Sequence, residues 1–545
     1  MRYLTFSLLF FPLITTIQNV CAQNVSLQTI DQKKDVNHTV KTQWGVISEP
    51  TLPEKGMVCS VLKASFTPDA RGSIDAYDMQ PSTSHLDTQR IQDAIDNCTK
   101  GKAVVLAKRV DGASGFISGP LRLASNVTLW IQKGVTLYAS RNPDDYSIHR
   151  RGCGEDNHDT KDNVCSAFIT AENTSHAGLV GEGVIDGRGG SVLTSGINRL
   201  KRSWWDIAYD AKVRNIHQHN PRLLQVDHSD NFTLYKIAFI NAPQFTIAFK
   251  ESKDINAWSI KILTPSLEYS LPGYQCPANS SPGQATPARC FTPETVKNTD
   301  GFDTMNSSRV LLTNAFISTG DDHVSIKASG KGSHSHAFYF LNNFFYSGHG
   351  LSIGSETAAG VDSVEVHGLF FAQTSKKTDF GLRIKTSPKN GGVITDITYD
   401  DICMHNVYTP IVIDTRYSKQ DGSSYPSIKD ITYRNFYSYT DRNYPPPRII
   451  LNAINNSALY GYASLTFDNI IFANAQPSLK DIYKVSISLG ANTDSLKNSL
   501  INVPRSQVSL KYLPKNRDIT AKAHISAYCR SKFKNFPNIN GKNPF

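Results

Sequence analysis

Apolar positions along this chain follow two different rhythms. From Leu86 to Cys98 the rhythm is helical: Ile91, Ala94, Ile95 and Cys98 share one face, and Asp87 stands before them as an N-cap. This is the one convincing amphipathic helix that the pattern predicts. Beyond it, apolar residues alternate with polar ones in short β-rich runs, punctuated by Gly, Asn and Asp. These runs repeat. Residues 231–237 (NFTLYKI) return as 254–260 (DINAWSI), 23 residues on, and 309–316 (RVLLTNAF) return as 363–370 (SVEVHGLF). Residues 396–402 (DITYDDI), 430–436 (DITYRNF) and 464–470 (SLTFDNI) sit 34 residues apart. Each unit has alternating apolar residues, a small or amide residue at a bend, and a second apolar run.

A single unit of this kind cannot bury its inward side chains alone. Stacking gives it neighbours above and below, with the hydrogen-bond ladder running along the axis, so the pattern predicts an all-β solenoid: a parallel β-helix. The early helix is expected to cover the exposed apolar end of the first coil, an N-terminal capping helix that shields a sticky edge. A β-sandwich also has many short strands, but it needs hairpin turns at shorter, regular spacing, and few are seen. No Pro- or Ser-rich linker divides the chain, which suits a repeat architecture that lengthens without a new core. The expected organisation is a secretory signal over 1–22, a polar surface leader over 23–58 and one β-helix catalytic domain over 59–545.

The signal reading rests on Arg2, the mostly apolar stretch from Leu4 to Ile17, and the small-residue site around Ala22. That stretch is too short and interrupted to span a bilayer comfortably, so the mature chain is expected to be exported, free of the membrane and monomeric. Removing Cys21 with the signal turns nine cysteines into eight, an even count that fits an oxidising compartment. Cys59/Cys98, Cys153/Cys165 and Cys276/Cys290 are close enough to be local staples, while Cys403, in an apolar strand pattern, reads as a buried thiol. No Cys/His spacing resembles a zinc site. A net charge of +10 and a pI near 9.0 call for a polyanionic partner. The basic residues are dispersed rather than clustered, which favours acidic polysaccharide over nucleic acid.

The repeat gives meaning to three acids. Asp300 and Asp321 are 21 residues apart, about one coil, so their carboxylates are expected to stack across neighbouring strands roughly 4.8 Å apart. A bend at Asp322 would let that side chain reach the same groove. His349 follows about one coil later with a loop insertion, and Arg383 and Lys385, at i and i+2, point to one side of a further strand. Taken singly, each residue reads equally as a turn, a loop or a solvated strand face; their order and spacing argue for a site. Such a set suits hydrolysis of a glycosidic bond in an acidic sugar polymer. One carboxyl group must hold a proton, and crowding by other carboxylates raises its pKa. Another activates water, and direct attack needs a gap of about 6.5–9.5 Å and inverts the anomeric centre.

At residues 298–301 (NTDG), 320–322 (GDD), 348–350 (GHG) and 383–385 (RIK), in that order, the chain resembles the polygalacturonases, glycoside hydrolase family 28. The resemblance extends to 118–121 (SGPL), 181–187 (GEGVIDG) and 241–248 (NAPQFTIA), and covers roughly residues 59–500. It implies a right-handed parallel β-helix that hydrolyses α-1,4-galacturonan, the polygalacturonic acid of pectin, with inversion and without metal or other cofactor. By family analogy Asp321 is the general acid, Asp300 and Asp322 position and activate water, and His349 supports the acid. Arg383 and Lys385 bind the galacturonate carboxylate, Asn298 lines the cleft, and Tyr417 falls where the family places a substrate-contacting tyrosine. Residues 265–297 form a long loop before the acids and, with the likeness to longer bacterial enzymes, lean the expectation towards endo-cleavage. The rivals are exo-cleavage, a rhamnogalacturonan or xylogalacturonan hydrolase, a Ca²⁺-dependent pectate lyase, and a β-helical protein that only binds acidic glycan.

Overall fold

The computed structural model describes residues 38–148, 152–157, 164–330, 332–372, 378–417, 422–453, 463–514 and 525–545. The expected signal segment, with residues 23–37 of the leader, lies outside the described residues. Apart from two small antiparallel pairs, the described strands lie in two long parallel sheets, of 11 and 21 strands, bonded from coil to coil.

The repeat noticed in the sequence is a repeat of backbone conformation. Its first position is left-handed at Asn231, Asp254, Arg309, Ser363, Asp396 and Asp430, with φ between 52° and 55°. So is the position five residues on, at Lys236, Ser259, Asn314, Gly368, Asp401 and Asn435. Asn, Asp and Gly recur at these bends because they tolerate that region better than most residues.

Seven consecutive rungs of the 11-stranded sheet carry the chemistry: β1 (Leu224–Asp227), β2 (Ile247–Lys250), β3 (Phe302–Met305), β4 (Val324–Lys327), β5 (Leu351–Ile353), β6 (Thr378–Lys385) and β7 (Val407–Asp414). Their register aligns Leu224, Ile247, Phe302, Val324, Leu351, Leu382 and Ile411 in one inward column, all buried. Each such side chain contributes about 1.5–3 kcal/mol on burial. Because side chains alternate, the same register builds an outward column of Gln225, Ala248, Asp303, Ser325, Ser352, Arg383 and Val412. The apolar ladder inside therefore sets the polar column outside, and a slip of one residue would exchange them.

The predicted helix is present as α1 (Thr88–Asp96), with Ile91 and Ile95 fully buried. Its Gln92 amide exchanges two hydrogen bonds with the backbone of Arg122, on the last strand of the 11-stranded sheet, at 2.9 and 3.0 Å. Asp87 does not cap this helix as expected: its carboxylate accepts from the Ile117 amide at 2.7 Å and from Ser65 and Arg90, tying the helix start to the neighbouring coil instead. A second helix, α2 (Trp204–Arg214), escaped the pattern because it has no clean polar stripe; Trp204, Trp205, Asp206, Ile207, Ala208 and Ala211 are all buried. Ser203 and Asp206 close a reciprocal capping box at its start. Residues expected to lie as a surface leader include a β-hairpin, Thr39–Thr42 with Gly45–Ser48, whose Val40 packs beside Val105 and Trp130. Among the described residues no helix is long and apolar enough to cross a membrane.

Cys59–Cys98, Cys153–Cys165 and Cys276–Cys290 are bonded as their spacing suggested. Cys403 is not a free thiol: it is bonded to Cys529, 126 residues away. That bond anchors a short C-terminal helix (Ile525–Lys532), and the tail beyond it runs back along the molecule. There Lys542 and Pro544 accept backbone hydrogen bonds from Leu267 and Gly273 in the long loop.

Candidate active site

The acids stand on the turns that feed β3 and β4. The register pairs Phe302 with Val324 and Val324 with Leu351, so the residues two before each are aligned. Asp300, Asp322 and His349 therefore form the stacked column, and Asp321 sits one step to its side. This corrects the expected stacking of Asp300 on Asp321: the coil here is 22 residues long, not 21. The bend expected at the Gly-Asp-Asp turn is present, with the Asp322 amide donating to Asp321 Oδ1 at 3.0 Å. It brings both side chains together with His349, the ligating atoms of Asp321, Asp322 and His349 lying within 4.8 Å of one another.

Each acid has a different environment. Asp322 is 1% exposed and receives three side-chain hydrogen bonds: Ser352 Oγ at 2.9 Å and Arg383 Nη1 at 3.1 Å to Oδ1, and Lys385 Nζ at 2.6 Å to Oδ2. Arg383 and Lys385, expected as the substrate's anchors, thus already share a carboxylate inside the protein. Asp321 is bonded to His349 twice, from the His349 amide to its carbonyl at 2.8 Å and between Oδ1 and Nδ1 at 3.1 Å. Its side chain is 21% exposed, the most accessible of the three acids. Asp300 is buried and its Oδ1 meets no partner.

The electrostatics separate them further. Burial pushes the Asp300 carboxyl well above its ordinary range, and the charges of Asp321, Asp303 and Asp322 push it the same way against Lys327. For Asp321 burial also pushes upward, but the hydrogen bond and charge of His349, then Lys385, hold it below the ordinary carboxylate range. The crowding argument made from sequence therefore falls on Asp300 rather than on Asp321. Of the two, Asp300 is the carboxyl whose surroundings favour the protonated form.

Tyr417 is brought in as expected, with its ring 5.3 Å from Lys385 Nζ and 5.9 Å from the Arg383 guanidinium. Asn298 stands two residues before Asp300, and its Oδ1 accepts from Gln218 at 3.0 Å. Four neighbours were not singled out from sequence. Phe380 lies 4.2 Å beneath the Arg383 guanidinium, one rung above His349 in register. Lys327 is bonded to Asp303 at 2.6 Å behind Asp300. His323 points inward, stacks on Phe345 at 4.4 Å and is pushed down to about 3 by burial. Its Nδ1 accepts from the Gly350 amide at 2.9 Å and so steadies the His349 loop. Both glycines flanking His349 are required: each has positive φ, and a Cβ on Gly348 would sit 2.5 Å from the His323 ring while one on Gly350 would strike the Gly381 carbonyl. For Lys327 and Asp303 the legible signal was the outward phase of their strands; for His323 there was none beyond its place after Asp322.

Comparison with known proteins follows the same residues. Residues 103–480 match the model for Glycosyl hydrolases family 28. A polygalacturonase of Ralstonia nicotianae is 46% identical over 441 residues, spanning 81% of this chain and 82% of that protein. An endo-polygalacturonase of Pectobacterium carotovorum subsp. carotovorum is 39% identical over 394 residues, 72% of this chain and 83% of that one. The solved polygalacturonase from Erwinia carotovora ssp. carotovora superposes with a TM-score of 0.63 at 34% identity, covering 81% of this chain and 98% of that structure. That likeness carries the right-handed parallel β-helix.

Proposed function

The chain belongs to the glycosyl hydrolases of family 28, and from that premise we propose that it cleaves the α-1,4-galacturonosyl linkages of polygalacturonate internally and with inversion. The observation that carries this reading is the division of labour among the three acids. A glycosidic proton donor must reach the leaving oxygen, and Asp321 is the carboxyl that the groove exposes. Asp300 and Asp322, more deeply set, position and activate the water. His349 holds Asp321 in place.

The low proton affinity of Asp321 in the free protein fits this role once the substrate's charge is counted. A galacturonate carboxylate that draws on Lys385 weakens the positive field on Asp321, so its proton affinity rises towards what a proton donor needs. Tyr417 and Phe380 frame the two cations that would hold that carboxylate. Endo-action is supported by the Pectobacterium relative named as an endo-enzyme, against a Dickeya chrysanthemi exo-poly-alpha-D-galacturonosidase only 28% identical. Export through residues 1–22 would bring the enzyme to plant cell-wall pectin as a monomer.

Purified protein incubated with polygalacturonic acid and EDTA tests this. Reducing ends with an early fall in viscosity and no rise in ultraviolet absorbance are expected. Slow viscosity loss would mean exo-action, and an unsaturated product or loss of rate on chelation would overturn metal-free hydrolysis. Asp321→Asn should lower kcat about 10²–10⁴-fold while leaving polymer binding intact. Wild-type turnover in that variant, or a rate still climbing above pH 8, would remove Asp321 as the acid.

A further inference from the structure

Around the coil from the acids, on the outer face of the 21-stranded sheet, two histidines and a carboxylate converge. The strand Ser335–Phe345 starts with a fully buried serine whose Oγ donates to the Lys327 carbonyl at 2.6 Å. Pinning Ser335 inward turns its neighbours His334 and His336 outward together. On the next coil the strand Val361–Phe371 runs parallel, with Asp362 in register with His336. His336 Nδ1 meets Asp362 Oδ1, and His334 Nε2 lies 3.3 Å from Oδ2, so each oxygen faces one imidazole. The two rings stand 5.2 Å apart at 70°.

This arrangement has the donor set and spacing of a metal site. Ligands bonded at about 2.0–2.2 Å around a tetrahedral ion stand roughly 3.3–3.5 Å from one another. Here all three ligating atoms lie within 4.8 Å, with the His334–Asp362 edge already at 3.3 Å. Among the described residues no Lys or Arg pairs with Asp362, so only the two imidazoles meet its charge. The side chains are 51%, 46% and 28% exposed, which leaves solvent to fill the remaining positions.

We propose that His334, His336 and Asp362 bind one divalent transition ion of the zinc class, for which imidazole and carboxylate are suitable ligands. The ion would join two successive coils. One lies between Asp322 and His349, the other between His349 and Arg383, so the ion clasps the coils that carry the catalytic groups. Its effect is on stability, because none of its ligands reaches the groove. Binding needs the imidazole lone pairs free of protons.

Full-length protein stripped with EDTA and dialysed should be titrated with Zn²⁺ by calorimetry at pH 7.5, and with Co²⁺ by visible absorption. One saturable site is expected, together with a higher melting temperature on adding Zn²⁺. His336→Asn and Asp362→Asn should each weaken binding at least tenfold and abolish the melting shift, with turnover of polygalacturonate unchanged. Asp321→Asn should bind Zn²⁺ as the wild type does. No saturable binding, undiminished binding in both His336→Asn and Asp362→Asn, or binding lost in Asp321→Asn would each overturn the site.

Discussion

Replacing Lys542 by Met tests how the C-terminal tail is locked to the body of the protein. The Lys542 side chain is 5% exposed, and its ammonium donates to Glu268 at 2.8 Å, Asp186 at 3.0 Å and the Gly72 carbonyl at 3.2 Å. Asp186 and Glu268 are themselves buried. Methionine fills most of the volume, so the loss is electrostatic: two buried carboxylates left facing one another, at a cost of about 3–5 kcal/mol. The loss has a pH signature. Burial, then the charges of Asp186 and Asp75, push Glu268 from 4.5 up to about 7 against the pull of Lys542. A group raised in this way stabilises the fold fully below its ordinary value and loses that contribution as pH rises through about 7. Without Lys542 the carboxyl rises further, so the variant's deficit should widen between pH 5 and pH 8. Guanidinium denaturation at both values, followed by the fluorescence of buried Trp204 and Trp205, measures it. A deficit below about 1 kcal/mol, or one of equal size at both pH values, would refute the reasoning.

Asp300→Asn should abolish turnover yet raise stability at pH 7, since it removes a carboxyl whose charge burial, Asp321 and Asp303 disfavour. Because Asp300 is raised, the wild type loses stability as pH climbs above 3.8, so the variant's advantage should shrink by pH 4; a variant less stable at pH 7 would contradict this. Cys529→Ser opens the bond to Cys403, which closes a segment of 126 residues, and chain entropy puts the loss at about 5 kcal/mol. An unchanged denaturation midpoint would mean that the bond does not form.

The repeating coil and its inward alternation were legible in the chain, because a β-helix is built from local repeats. A bend at Asp396 and another at Asp430 need the same left-handed backbone, and that need writes itself into the sequence at a fixed interval. Three disulfides were legible for the same reason of proximity. The acids, the histidine and the cations were picked out by their order and approximate spacing, and their expected roles by the family resemblance.

The rest depended on distances that no local pattern contains. Whether a coil holds 21 residues or 22 decides that Asp300 aligns with Asp322 and not with Asp321, and only the paired backbones count it. Which carboxyl holds a proton more readily is set by burial and like charge around Asp300 and by His349 beside Asp321, none of it written in the Asp300 segment itself. Cys403 found Cys529, and Lys542 found Asp186 356 residues earlier in the chain, because the tail doubles back over the stack. Periodicity determines what each residue does within its own coil; the charge it meets there is set by coils and tails that the sequence separates by tens to hundreds of residues.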